Sequence, residues 1–202
     1  TAYRRQRQMC IRDSNNTDSI YPFNVPVEYP KVGEDLIQAR IGVIDLNSMD
    51  VTWMKIPGES NKFYLPRMTW MPNKDKLMIQ QLNRKQNHSR YFVANADNGS
   101  TELLLEDKDE AWIDVRNTWP YQDKAGWKFI NGGKEFLYTS EKDGWSHVYR
   151  YDIEKREEFL VTKGDYDVIR PLSFDEEKGD IYFIASPKDP TERYLYLSLI
   201  HI

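Results

Sequence analysis

A short apolar run that ends in an acidic turn occurs three times in this chain, at residues 41–47 (IGVIDLN), 91–99 (YFVANADNG) and 147–154 (HVYRYDIE). Their turn acids, Asp45, Asp97 and Asp152, lie 52 and 55 residues apart. Each run is followed by a second strand-like stretch, at 51–56, 101–105 and 158–162. Two are also preceded by a strand pair around a turn, 67–71 with 77–81 across PNKDK and 126–129 with 135–139 across INGGK. A further pair, 169–174 and 180–185, precedes 193–196, which begins the strand that repeats 148–151. A repeat constrains a fold more tightly than composition does, because a unit that cannot bury its own apolar face must stack on a neighbouring copy. Four short strands per unit at a period of roughly 40 to 50 residues are the signature of a β-propeller blade. In 136–139 and 148–151 the side chains divide between two faces, as blades packed on both sides require. A jelly roll or an immunoglobulin-like sandwich offers strands at this spacing but no recurring four-strand unit. The predicted fold is therefore all-β, a partial β-propeller of about three to four four-stranded antiparallel blades. From residue 39 the chain holds one half blade, two full ones and most of another. Closed propellers use about four to eight blades, so the chain is not expected to close a ring by itself.

Composition agrees and excludes several function classes. Six Trp, thirteen Tyr and eight Phe in 202 residues favour sheet, since aromatic side chains pack well on a pleated surface. A formal net charge of -4 offers no basic footprint for phosphates, so nucleic acid is not an expected partner. The longest apolar run is far shorter than the roughly 20 residues of a membrane-spanning helix. Residues 21–34 carry Pro22, Pro26 and Pro30 at four-residue spacing, which removes backbone donors and predicts an extended connector, not a central strand.

The two ends read differently. MCIRDS at 9–14 is what ATG TGT ATA AGA GAC AG(Y) encodes, a string that looks like the transposon end used to tag DNA in sequencing libraries. The reverse complement of that string encodes LSLIHI, residues 197–202. Residues 1–14 and 197–202 are accordingly expected to be non-native, the propeller portion being 15–196. The alternative for the first is a basic N-terminal arm. Cys10, the only cysteine, lies in that first stretch, so no disulfide, metal or thiol chemistry is argued.

No catalytic constellation is expected in this chain. The nearest approach to a nucleophile elbow, Gly144-Trp145-Ser146-His147-Val148, ends in Val where Gly is required and enters a strand, not a helix. Ser146 and His147 are adjacent on that strand and should point to opposite faces. Glu102, Glu106, Asp107, Asp109 and Glu110 form an acidic cluster whose spacing matches no calcium loop, and a solvated loop between blades is the expectation. Glycosylation triplets occur at Asn87-His88-Ser89 and Asn98-Gly99-Ser100.

Three segments carry a family resemblance. SEKDGWSHVYRYD at 140–152 is similar to the SERDGWRHLYLYD-type blade motif of the dipeptidyl peptidase IV family, VEYPKVGE at 27–34 resembles that family's YPKAG connector, and MIQQLNRKQN at 78–87 resembles its IQWLNRDQN stretch. The likeness spans nearly all of residues 17–196. It implies the eight-bladed N-terminal propeller of a serine exopeptidase, coupled in the parent protein to an α/β-hydrolase domain that follows in the same chain and removes di- or tripeptides after proline near a free N-terminus. The hydrolase triad has no counterpart here, and the paired glutamates that hold the substrate ammonium precede the YPKAG connector. The remaining propeller contribution is an arginine-bearing loop lining the cavity, and AWIDVRN at 111–117 occupies the comparable place. Arg116 is thus the one candidate substrate-binding residue, although the loop beyond it departs in length from the family pattern; a surface salt bridge is the alternative for it. The resemblance further implies peptide substrates, no cofactor, a homodimer as an allowed assembly, and a periplasmic or secreted parent. A non-catalytic propeller that serves as a protein-interaction scaffold is the other reading.

Overall fold

The computed structural model describes residues 10–13, 25–28, 33, 36–72, 75–115 and 127–199. Among them fifteen strands form five sheets, every pairing antiparallel. Strands β1 (Cys10–Asp13) and β2 (Val25–Glu28) form a ribbon, and β3 (Gly42–Ile44) and β4 (Val51–Trp53) a hairpin. A four-stranded sheet then runs β5 (Phe63–Trp70), β6 (Lys76–Asn83), β7 (His88–Asn95), β8 (Thr101–Lys108) in spatial as in chain order. A second does the same with β9 (Trp127–Ile130), β10 (Glu135–Ser140), β11 (His147–Asp152) and β12 (Glu157–Leu160). The last sheet holds β13 (Val168–Asp175), β14 (Asp180–Ala185) and β15 (Tyr194–Leu199). From β3 onward this is half a blade, two whole blades and three strands of another, the partial propeller that the repeat predicts.

The blades join because their strands alternate. In β6, Leu77 and Ile79 pack with Ala94 against Ile41 and Met54 of the hairpin, whereas Met78 between them joins the cluster on the other face. In β10, Phe136 and Tyr138 pack with Trp127, Tyr149 and Tyr151 against Met78, Tyr91 and Leu104 of the preceding blade, and Leu137 turns to Val168, Ile181 and Phe183 of the next. A period of two thus buries both faces of β6 and β10, so that nearly every residue of β6, Gln80 and Gln81 included, is buried. The seam between the two complete blades is built from rings: Tyr91 meets Trp127 edge-on at 5.7 Å, and Phe136 lies 5.4 Å from Tyr151 and 5.6 Å from Tyr138. Such pairs contribute about 1 kcal/mol each beyond their burial.

One turn is reused four times. Asp45, Asn95, Asp152 and Asp175 each accept, at the side-chain Oδ1, the N–H groups two and three residues on. The N–H four residues on, at Met49, Gly99, Arg156 and Gly179, returns to the backbone carbonyl of the first residue at 2.8–2.9 Å. Those four closing residues have φ of 63°, 71°, 58° and 71°. The carboxylate or carboxamide satisfies donors that would otherwise be stranded at the strand end, and the left-handed residue turns the chain back. The repeat position in the second copy is therefore Asn95, not Asp97; the amide of Asp97 is one of the donors.

Several sequence-based boundaries shift for identifiable reasons. Strand β5 begins at Phe63, four residues before the expected start, because an irregularity between Tyr64 and Arg67 lets Pro66 sit in the strand without a ladder donor. Strand β8 runs on to Lys108, so Glu102, Glu106 and Asp107 belong to a strand and not to a loop between blades. Within the expected connector, Val25–Glu28 pairs with Cys10–Asp13, Pro26 standing opposite Arg12 in a ribbon whose strands are both edges. That ribbon includes residues set aside as non-native, as does β15 beyond Tyr196.

Candidate functional site

The segment that leads toward Arg116 lies at the end of the blades where the β6–β7 and β10–β11 turns come together. Asn83 organises the first turn: its Oδ1 accepts the N–H groups of Asn87 (3.0 Å) and His88 (3.1 Å) and its amide donates to Asn87 Oδ1 (2.8 Å). Onto this turn the segment after β8 is fastened by Asp109 N–H to Asn87 O (3.1 Å) and Ile113 N–H to Gln86 O (2.7 Å). The Asp109 carboxylate accepts the N–H groups of Ala111 (2.7 Å) and Trp112 (2.9 Å), and those bonds, Trp112's first, hold it below the usual carboxylate range. The segment is thus held as far as Ile113 and is described to Val115. Arg116 itself lies outside the described residues.

Beneath it a polar cleft opens between the two complete blades. Its wall on one side includes Gln80, Tyr91 and Asp107, and on the other Ser140, Lys142 and Ser146, with Trp112 at the rim. Buried Asp107 accepts the Ser140 hydroxyl across the seam at 2.6 Å. Gln80, also buried, donates its amide to Ser89 Oγ (2.8 Å) and Tyr91 Oη (3.3 Å). Lys142 donates to Tyr138 Oη (2.8 Å) and to both oxygens of Glu158 (2.7 and 2.8 Å), and its ammonium lies 4.7 Å from the centre of the Tyr149 ring. Burial, then the nearby charge of Asp107, pushes Glu158 up to about 7, and burial lowers Lys142. Of these bonds the Asp107–Ser140 one joins blade to blade, whereas those of Lys142 lie within the second blade; a buried hydrogen bond to a charged group contributes about 1.5–3 kcal/mol.

The acidic cluster disperses. Glu106 faces His88 (3.3 Å) and Lys108 (3.4 Å), Glu102 pairs with Arg156 of the next blade, and Asp107 and Asp109 are engaged as above. Ser146 and His147 part as alternation requires: Ser146 lines the cleft, while His147 packs edge-on to Tyr166 at 5.7 Å and its Nδ1 lies 2.7 Å from Asp143 Oδ2. Of the two glycosylation triplets, Asn98 is exposed at a hairpin tip, whereas Ser89 is fully buried and bonded to Gln80. What sequence reasoning missed is the set of buried Asp107, Ser140 and Tyr138 with the more exposed Lys142 and Glu158, spread over about fifty residues with no motif spacing. The only available signal was a Ser and a Lys on either side of Glu141 in the turn from β10 to β11.

Comparison with known proteins places this architecture. Residues 5–198 match the family profile described as dipeptidyl peptidase IV (DPP IV) N-terminal region. A probable dipeptidyl peptidase 4 of Aspergillus flavus is 25% identical over 187 residues, 91% of this chain and 24% of that protein. The inactive dipeptidyl peptidase 10 of Rattus norvegicus is 27% identical over 191 residues, 89% of this chain and 23% of that protein. The crystal structure of Porphyromonas gingivalis dipeptidyl peptidase 4 superposes with a TM-score of 0.77 at 26% identity, covering 93% of this chain and 25% of that one. This chain spans about a quarter of the length of the relatives it matches. The face-packed four-strand blades and the match over residues 5–198 together assign the chain to the dipeptidyl peptidase IV N-terminal-region family.

Proposed function

We propose that this chain is part of the propeller of a serine exopeptidase that removes X-Pro di- or tripeptides from peptide N-termini, a hydrolase domain of the same longer protein doing the chemistry. The propeller gates access and positions the peptide. The observation that carries the reading is the family match across the blades, joined to the fastened segment that leads into Arg116. Arg116 is the proposed substrate-facing residue, and a periplasmic or secreted location and a homodimer belong to the same proposal. The test is to purify the product of the uninterrupted gene and follow hydrolysis of Gly-Pro-p-nitroanilide. Cleavage by that product, none by the 202-residue chain, and a several-fold rise in KM with little change in kcat for Arg116→Ala are the expected results. Uniform positioning interactions act on KM before kcat. A longer product without hydrolase activity overturns the proposal.

A second reading has its own support, because the inactive dipeptidyl peptidase 10 is as similar to this chain as its dipeptidyl peptidase 4 relatives are. In that reading the propeller is a non-catalytic interaction scaffold. A hydrolase domain downstream that lacks its nucleophilic serine would decide for it.

A further inference from the structure

At the opposite end of the blades, the seam between the two complete sheets contains a second concavity, of about 100 Å³. It lies six residues back along β8 from Lys108, hence about 20 Å from the segment leading to Arg116. Its floor is apolar: Met71, Val93 and Leu104 from one blade and Ile153 from the next, the first and third buried and the others half-buried. Its mouth is charged, with exposed Lys76 and Arg156 against the single carboxylate of Glu102. The Arg156 guanidinium spans the seam, donating to Leu103 O at 3.3 Å and pairing with Glu102.

Arg156 is there at a conformational cost. It occupies the left-handed closing position of the reused turn, with φ of 58°, where the turns after Asn95 and Asp175 have glycine and the turn after Asp45 has Met49, whose side chain is exposed. A non-glycine residue in that region costs about 1–2 kcal/mol, and such strain concentrates where a side chain is used. A small apolar floor with a few convergent polar groups at its mouth is the form of a ligand site. Two cations facing one carboxylate select an anion, and Arg presents a fork that matches a carboxylate. Scaling from a 150 Å³ cavity that holds benzene, the floor takes a tail of about four carbons.

We propose that this seam is a binding site for a small free carboxylic acid with a short branched aliphatic tail, its carboxylate on Arg156 and Lys76 and its tail on Met71, Val93, Leu104 and Ile153. Glu102 is the built-in competitor, holding Arg156 until the ligand displaces it. The site is separate from the peptide-positioning end, so this proposal stands or falls apart from the peptidase reading.

The test is titration of 3-methylbutanoate into the purified protein that carries this chain in full, followed by calorimetry or ligand-observed NMR. Acetate, which lacks the tail, and 3-methylbutanamide, which lacks the charge, should each bind at least tenfold more weakly. Arg156→Gly should weaken 3-methylbutanoate at least tenfold with little change in melting temperature, because relief of the backbone offsets the lost bonds to Leu103 and Glu102. Glu102→Gln should tighten it about threefold. Val93→Phe should fill the floor and abolish binding; should that variant fail to fold, the exposed Arg156 and Glu102 substitutions still decide. Equal binding of the amide, no effect of Arg156→Gly, or a tenfold preference for acetyl-glycyl-leucine, which would make the site a reader of peptide C-termini, each overturns the proposal.

Discussion

Gly99 is the residue through which the first hairpin is clamped to the next blade, and Gly99→Ala should be among the most costly single-methyl additions in the chain. Its φ of 71° already disfavours a side chain, at about 1–2 kcal/mol. A Cβ built there would stand 2.2 Å from the carbonyl oxygen of Trp53 and 3.1 Å from its carbon, so backbone of one blade must move away from backbone of another. That movement strains the bond from Lys55 N–H to Gly99 O (2.8 Å) and the neighbouring bond from Thr101 Oγ1 to Lys55 O (2.7 Å). At about 1 kcal/mol for each bond, the total is about 3 to 4 kcal/mol. Gly132 supplies the control: its φ of 63° and ψ of 25° lie in the same region, but nothing is within 4 Å of the added methyl. Gly132→Ala should therefore cost only the conformational part, about 1–2 kcal/mol. Urea denaturation of both variants, in the protein that carries this chain, measures the difference. At about 2–4 °C per kcal/mol for a domain of this size, Gly99→Ala should also melt about 10 °C below the parent. Equal destabilisation by the two substitutions would refute the argument from close approach.

The Asp107–Ser140 bond should appear as a coupling across the seam. Ser140→Ala strands a buried carboxylate and should cost about 2 kcal/mol, and the double variant with Asp107→Ala should cost less than the sum of the two single changes in a double-mutant cycle. Glu158, raised to about 7 by burial and then by Asp107, takes up a proton on folding between about pH 4.5 and pH 7. Its contribution is accordingly greatest below about pH 4.5 and is lost as pH rises through 7, so melting temperature should fall across that window and Glu158→Gln should flatten the profile. The 202-residue chain purified alone should self-associate, because one face of β3 and β4 shows Ile44 and Trp53 about half exposed and β15 shows Leu195 and Leu197 more than half exposed. A monodisperse monomer in analytical ultracentrifugation would contradict this.

What was legible in advance was whatever depends on local chemistry repeated several times. The acidic strand ends mark true turns because a carboxylate that caps two N–H groups works the same way in every blade, and the spacing of those turns already implies the blade. Misreading Asp97 for Asn95 has the same origin: an amide oxygen caps as well as a carboxylate, and two residues of one turn, ANADNG, both look suitable. Strand ends were less legible. The expected strand at 67–71 starts after Pro66, yet Pro66 lies within β5, whose ladder shifts register there as the β13 ladder does beside Pro171, an accommodation that only the partner strand can show.

The functional groups divide along the same line. The segment to Val115 was found because its family likeness is contiguous, and the structure adds how it is held, by Asp109 and by the turn at Asn83 to Asn87. The seam groups had no such signature, since blade packing brings Asp107, Ser140 and Glu158 together from three different strands or strand ends. Even so, the reused turn contained a clue to the second concavity. Its closing position asks for glycine, and two of its four copies comply. Of the two copies that install another residue, Met49 is exposed to solvent, whereas Arg156 reaches across the seam to Leu103 and Glu102, contacts that offset the cost there. The informative position in a repeat protein is then the copy that departs from the pattern the fold requires.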